Sequence, residues 1–323
     1  MLMKTSIIST VKDEGENLRA LLDSILNQTQ LPDEVVICDG GSTDNTLAIL
    51  YEYQQWLPLK VILSPGSNIS EGRNKAIAAA AGPIIAATDA GVVLSPNWLE
   101  ELSYPIASGK TSIVSGWFEA DPYTDFEVAL GATTLPTRQD IDPRSFLPSS
   151  RSVAFHKDAW EAVGGYPEWL DYCEDIVFDQ ALRDQYGSFA FSDRAVAYFR
   201  PRPSLTSFFR QYYRYARGDG KANLWPLRHL VRYATYLVAL PAVLWLIWHE
   251  KWQGWLFLLL GAGAYSRRPA ERLWENTWGW QPPARARAFG VIPVIRLVGD
   301  VAKMAGYPAG IIWRLRQSRH LTS

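Results

Sequence analysis

Through the first half of the chain, short apolar runs end abruptly in polar tips and give way to stretches of helical periodicity. Residues 6–10 form the first run and predict a strand, followed by a polar loop over 11–17 and a helix over 18–26. Val35, Val36, Ile37 and Cys38 make an unbroken apolar run, the mark of a strand buried on both faces, and Asp39-Gly40-Gly41 ends it. Ser42 or Thr43 is placed to cap a helix that carries Leu47, Ile49, Leu50 and Tyr51 and runs to about Trp56. Residues 59–63 predict a third strand. An alanine-rich helix opens within residues 66–76 and stops at Gly82-Pro83; residues 84–88 then predict a fourth strand that delivers Asp89-Ala90-Gly91, ahead of a helix over 96–102. Strand, polar tip and helix in alternation predict an α/β fold with a mostly parallel sheet, whose ligands bind beyond the carboxyl ends of the strands.

Farther on the pattern loosens. Residues 113–119 and 152–156 predict strands, and 121–150, rich in Pro, Asp and Thr, has no clear period; so long an irregular segment in a compact domain is usually functional. Glu174-Asp175 opens a helix with Val177, Phe178, Ala181 and Leu182 on its apolar face. Residues 233–248 and 252–265 are apolar runs of 16 and 14 residues. Each is shorter than the roughly 20 residues that span a bilayer, and together they predict a hydrophobic hairpin or re-entrant pair over about 231–265, with a buried helical hairpin of a soluble protein as the alternative. Residues 289–315 mix Ile, Val and Gly with Arg296, Asp300 and Lys303 and predict an amphipathic helix or pair lying on a membrane surface.

Charge divides the chain at the same place. The near balance of 32 basic and 33 acidic residues conceals a net −10 over residues 1–225 and +9 over 226–323. Eight of the 14 Trp residues lie in that basic tail, which suits a segment held at an anionic lipid surface. We therefore expect a globular α/β domain over 1–225 and a membrane-associated helical tail over 226–323. Basic residues flank the hairpin at Arg228, Arg232, Arg267, Arg268 and Arg272, which puts both of its ends, and the globular domain, on the cytoplasmic side. Cys38 and Cys173 form no disulfide framework and read as small apolar residues of a reducing compartment. No signal-peptide core opens the sequence, so export is not expected and the sequon at Asn68-Ile69-Ser70 would go unused.

The motifs fall in a recognisable order. Asp39-Gly40-Gly41-Ser42-Thr43-Asp44-Asn45-Thr46 resembles the Asp-Gly-Ser-x-Asp-x-Thr signature of family-2 glycosyltransferases, inverting enzymes with a GT-A nucleotide-sugar-binding fold. Arg73-Asn74 matches the family's Arg-Asn element, Asp89-Ala90-Gly91 sits where its Asp-x-Asp motif would, and Gly164-Gly165-Tyr166 with Glu174-Asp175 resembles its Gly-Gly-aromatic turn and Glu-Asp pair. Gln211-Tyr212-Tyr213-Arg214-Tyr215 has the spacing of the Gln-x-x-Arg-aromatic segment in membrane-bound members.

The resemblance implies roles. Thr10, Lys12, Glu14, Asp39, Arg73, Asn74, Asp89, Gln211, Arg214 and Arg217 would bind a nucleotide-sugar donor, with Asp39 on the base. Asp89 would hold Mg²⁺ or Mn²⁺, although Gly91 stands where the motif has its second carboxylate. Asp175 would be the catalytic base that takes the acceptor's proton, with Glu174 as its supporting or acceptor-binding neighbour. A membrane-attached enzyme of this kind suits a lipid-linked or saccharide acceptor. Basic residues interleaved with aromatics over 208–221 could suit a nucleic acid, but the acidic body argues against that partner. Two other readings stay open. A nucleotidyltransferase would carry a glycine-rich basic loop after the first strand, of which Lys12-Asp13-Glu14-Gly15 is a poor version, and a catalytically silent membrane scaffold on the same fold is what Gly91 would support.

Overall fold

The computed structural model describes residues 3–321 of the chain. Its first two strands, β1 (Thr5–Val11) and β2 (Glu34–Asp39), show why apolar runs rather than alternating ones are needed here. Ile7, Val35 and Ile37 enter one hydrophobic core while Ile8, Val36 and Cys38 enter another, so both faces of the sheet are covered. Each fully buried Ile or Val contributes about 1.5–3 kcal/mol to holding these layers together.

The elements follow as α1 (Asn17–Leu26) between β1 and β2, then α2 (Thr46–Tyr53), β3 (Leu59–Leu63), α3 (Ile69–Ala79), β4 (Ile84–Ala87), β5 (Val92–Leu94), α4 (Trp98–Ala107) and β6 (Ile113–Ala120). After them come α5 (Asp125–Thr134), β7 (Val153–His156), α6 (Lys157–Ala162), α7 (Glu174–Tyr186) and β8 (Ala190–Phe199). The sheet runs β3-β2-β1-β4-β7-β6-β8-β5. β1 to β4 are mutually parallel, β7 is antiparallel to both β4 and β6, and β8 runs parallel to β6. Helices α1, α2 and α4 cover one face and α3, α6 and α7 the other. Chain order reverses between β1 and β4, and the crevice beyond their carboxyl ends is the place such a sheet offers a ligand.

Several expectations are corrected. Neither Ser42 nor Thr43 caps α2, whose N-cap is Asn45; the Ser42 hydroxyl instead turns back to Asp39. The alanine-rich helix ends at Ala79, three residues before Gly82, and its start is fixed by Asn68 and Glu71 in a reciprocal capping box. The strand β5 and helix α6 were not foreseen, nor was β8, and the segment read as irregular over 121–150 contains α5.

The chain divides into two units: one takes in residues up to Asp121 and Arg138–Arg200, the other Pro122–Thr137 and Pro201 onward. The second unit is helical, with α5 joined by α8 (Leu205–Ala222), α9 (Pro226–Ala234), α10 (Leu240–Trp248), α11 (Trp252–Asn276) and α12 (Pro282–Leu321). Its core gathers Leu130, Phe208, Leu273, Ile292 and Ile295. α8 and α12 cross at backbone contact, since a Cβ on Gly306 would meet the Tyr213 carbonyl at 2.2 Å and one on Gly310 the Arg217 carbonyl at 2.1 Å. A π-helical turn at Thr235–Ala239 joins α9 to α10, making Pro226–Trp248 one helical stretch of 23 residues, long and apolar enough to cross a membrane. The hairpin is longer than its apolar runs, because α11 continues past Tyr265 to Asn276, and the amphipathic segment lies inside the single helix α12.

Candidate active site

At the carboxyl end of β2 the Asp39 carboxylate is turned onto its own loop. Its Oδ1 accepts the N–H groups of Gly41 and Ser42 at 2.9 Å each, and its Oδ2 accepts the Ser42 hydroxyl at 2.5 Å. The loop after β1 is tied to the same turn: Asp13 Oδ1 accepts the Thr43 N–H at 2.7 Å, and Thr46 Oγ1 accepts the N–H groups of Glu14 and Gly15. Thr10 and Lys12 border this pair of loops, Thr10 against Gly72 of α3 and Lys12 against Gly40. The two loops are thus pre-tied by hydrogen bonds, and such rigid placement suits a binding edge.

α3 carries the centre of the site. Arg73 is 2% exposed, and its guanidinium bridges two elements distant in sequence, Nη2 to Asp89 Oδ1 at 2.7 Å and Nη1 to Glu174 Oε1 at 2.5 Å. It lies over the buried ring of Tyr166, 5.3 Å from the centroid. Burial works against the arginine's charge, yet Asp89 and Glu174 hold its pKa above the ordinary value, as paired carboxylates should. An arginine in the first turns of a helix opposes the helix dipole by about 0.3–1 kcal/mol. Two charge-assisted hydrogen bonds, each contributing about 1.5–3 kcal/mol, outweigh that.

The neighbouring Asn74 is committed to the turn before α7. Its amide donates to the Tyr166 carbonyl at 2.8 Å and to Glu168 at 3.0 Å, and its Oδ1 accepts the Tyr166 N–H and the Trp160 indole N–H. Gly165 must be glycine there, because it has φ +76° and a Cβ would meet Asn74 Oδ1 at 2.8 Å. Ser70 donates to the Leu170 carbonyl from the same helix, so α3 holds the chain that leads into the acidic doublet.

That doublet begins α7 directly after Cys173, which sits in the left-handed region at φ 64°. Glu174 is 5% exposed, while Asp175 is half-buried and more open. Burial, then the adjacent Asp175, pushes the Glu174 carboxyl up to about 7; burial likewise raises Asp175. One turn on, Asp179 is buried with no hydrogen-bond partner on either oxygen among the described residues, and burial followed by Asp175 raises its pKa well above the ordinary aspartate value. The helix N-terminus favours carboxylates by up to about 2 kcal/mol in a partly buried setting, and desolvation wins.

Sequence reasoning passed over Arg151. The antiparallel pairing of β4 with β7 sets Ala87 against Val153, and continuing that ladder outward brings Asp89 opposite Arg151. Arg151 Nε lies 3.3 Å from Asp89 Oδ2, with its guanidinium 4.5 Å from the centre of the Phe199 ring. A basic residue just ahead of an apolar run was the available signal, but only the strand pairing gives it meaning. Gln211, Arg214 and Arg217 lie on α8 in the helical unit, where the Gln211 amide donates to the Tyr215 hydroxyl at 2.8 Å.

A divalent cation would find one carboxylate here, Asp89, already facing two arginines. Among the described residues no group of three or more His, Cys, Asp or Glu side chains forms a metal cluster. Mg²⁺ and Mn²⁺ accept a single carboxylate when phosphate oxygens and water complete the shell, so the residues fit a substrate-completed site and not a cage built by protein alone.

Comparison with known proteins points the same way. Residues 6–155 match the family model for Glycosyl transferase family 2. The succinoglycan biosynthesis protein ExoA of Rhizobium meliloti is 26% identical over 67% of this chain and 68% of its own length. The putative glycosyltransferase EpsH of Bacillus subtilis is 32% identical over 64% of this chain and 63% of its own length. The match to the uncharacterized glycosyltransferase YibD of Escherichia coli, at 30% identity, spans only 29% of that protein. Among solved structures, the mannosyltransferase PcManGT from Pyrobaculum calidifontis in complex with GDP-Man and Mn²⁺ has a TM-score of 0.54 at 16% identity, covering 98% of this chain and 88% of that one. S. aureus TarS 1–349 in complex with UDP-GlcNAc has a TM-score of 0.51 at 17% identity, covering 98% and 92%. At these identities the likeness is one of fold, the GT-A arrangement of a mixed sheet between helices.

Proposed function

We propose, from the premise that its 6–155 region places this chain in glycosyl transferase family 2, that the site moves a sugar from a nucleotide-diphosphate donor to an acceptor hydroxyl or phosphate with inversion at the anomeric carbon. The observation that carries this reading is the Arg73 bridge, which ties the strand-end Asp89 to the Glu174-Asp175 doublet through one buried side chain. The donor lies along the loops after β1, β2 and β4, where Thr10, Lys12, Glu14, Asp39 and Asp89 are gathered. Asn74 serves it through the turn it holds.

Glu174 is fixed by Arg73 and acts as the positioning residue, while the more open Asp175 takes the acceptor's proton as its oxygen attacks opposite the diphosphate. A raised pKa suits that task, because a base works best when its pKa approaches the working pH. Mg²⁺ or Mn²⁺ at Asp89 would supply Lewis-acid stabilisation of the leaving diphosphate. The apolar hairpin attaches the enzyme to a membrane with its catalytic domain on the cytoplasmic side, which favours a lipid-linked or saccharide acceptor.

Asp175→Asn tests the assignment. Turnover falls by about 10²–10⁴-fold while donor affinity stays within about twofold, as expected for loss of a general base that does not touch the donor. A catalytically silent scaffold, the reading that Gly91 favours, has no turnover in the wild type for that substitution to remove.

A further inference from the structure

The helical unit holds a second cluster of charge that the transfer reaction does not use. Asp300 of α12 has both oxygens filled from the cluster: Oδ1 accepts Arg232 Nε at 2.7 Å, and Oδ2 accepts the hydroxyls of Tyr265 at 2.6 Å and Tyr236 at 3.0 Å. On the same face of α12, Arg296 and Lys303 stand seven residues apart with Asp300 between them. Their neighbours are ring faces: the Arg296 guanidinium lies 3.9 Å from the Tyr265 centroid and the Lys303 ammonium 4.8 Å from that of Tyr212. Among the described residues neither has a carboxylate within ion-pair distance. The other acidic group of this region, Asp219, is engaged by His229 at 3.0 Å, and His229 is also contacted by Arg232.

Three cations, Arg232, Arg296 and Lys303, therefore stand around Asp300 in a half-buried setting, with Asp219 as the second carboxylate acting on Lys303. Burial, then the like charge of Arg232, pulls the Lys303 ammonium down to about 8, against the pull of Asp300 and Asp219. The apolar side chains beside this cluster in sequence, Leu237, Val238 and Trp245, are 64%, 66% and 60% exposed.

We propose that Arg232, Arg296 and Lys303 form a binding site for a phosphate group carried by a membrane lipid. A phosphate offers several acceptor oxygens to an arginine fork and an ammonium, and it removes the repulsion between them. Tyr236 and Tyr265 orient Arg232 and Arg296 around Asp300, leaving the phosphate to be met by cations on two helices. The source is a lipid rather than free phosphate because these cations adjoin the apolar hairpin. The inference thus rests on the proposed membrane attachment.

The test is flotation of the full chain with neutral phosphatidylcholine vesicles, with vesicles that also contain phosphatidic acid, and with the latter in the presence of inorganic phosphate. Three proteins are compared: the wild type, Arg296→Gln/Lys303→Gln, and Arg267→Gln/Arg268→Gln, which removes the same charge from exposed positions of α11. The wild type partitions more strongly into the phosphatidic acid vesicles. The α12 pair loses about tenfold or more of that excess, against about threefold or less for the α11 pair, since diffuse attraction treats all surface charges alike. Equal losses in the two variants overturn the site, as does an unchanged excess in the α12 pair, and an excess abolished by millimolar inorganic phosphate reassigns the source to free phosphate. Failure of the wild type to float with any vesicle instead overturns the membrane attachment itself. Arg296→Lys/Lys303→Arg retains the excess, which separates charge recognition from misfolding.

Discussion

Two knots of charge, one in each unit, answer the same physical demand with opposite excess. In the sheet unit Arg73 is one buried cation among Asp89, Glu174, Asp175 and Asp179, with Arg151 closing on the outer oxygen of Asp89. In the helical unit Arg232, Arg296 and Lys303 stand around Asp300, with Asp219 held by His229 beside them. A buried charge left without a partner costs several kcal/mol, so each knot is satisfied as far as its members allow. What is left over suits a ligand of opposite kind. The surplus of carboxyl groups around Arg73 suits protons and a cation, and the surplus of cations around Asp300 suits an anion.

The largest effect should come from cutting the first knot. Arg73→Met leaves Asp89 and Glu174 without their shared partner, and equilibrium unfolding in urea should show a loss of about 3–5 kcal/mol. A loss below about 1 kcal/mol would mean that the bridge is not the centre of that unit.

An intermediate effect follows from proton binding. Glu174 moves from an ordinary 4.5 to about 7 in the folded chain, so the folded state binds this proton more tightly than the unfolded one. Stability conferred by that proton is greatest below about pH 4.5 and declines as pH rises towards 7, by on the order of 2 kcal/mol. Turnover runs the other way, rising over the same window as the doublet deprotonates. Denaturation midpoints and rates measured from pH 5 to 8 should therefore slope in opposite directions, and parallel slopes would remove the doublet from both roles.

The smallest effect tests the metal side. A Cβ on Gly91 meets no atom within 4 Å, and its backbone lies outside the left-handed region, so Gly91→Asp should change stability by less than about 0.5 kcal/mol. It adds a carboxylate two residues from Asp89. Calorimetric titration with Mn²⁺ in the presence of a nucleoside diphosphate should show tighter binding than the wild type, and weaker binding would place the cation elsewhere.

Much of the fold was legible because β1 through β4 obey one rule, an apolar run, a polar tip and a covering helix. The parts that escaped break that rule for identifiable reasons. β8 carries a register irregularity where Ser115 pairs with Phe191 but Trp117 with Val196, and the exposed Asp193 and Arg194 in that bulge disrupt any period of two. α5 is buried at Ala129, Leu130, Gly131 and Ala132 in succession, so it has no polar face to betray a helical period. Its cap was nevertheless in plain view, since Thr124 accepts the Glu127 N–H in a Thr-x-x-Glu pattern. In the candidate site, motif order led to Arg73, Asp89 and Glu174, which the fold brings into direct contact. Arg151 and Asp179 could not be found that way. One acquires its partner through antiparallel register and the other is defined by burial, and neither property belongs to a short stretch of sequence.

The most direct test of the central claim, that the strand-end crevice takes a nucleotide-diphosphate sugar, is a thermal-shift series with UDP-, GDP- and dTDP-sugars, each with and without Mn²⁺. Saturation at about 100 times Kd stabilises the native state by about 2.7 kcal/mol, enough for a shift of several degrees. One nucleotide should raise Tm in this way, more strongly with Mn²⁺ than without it. A folded protein whose Tm moves with none of them would contradict the account.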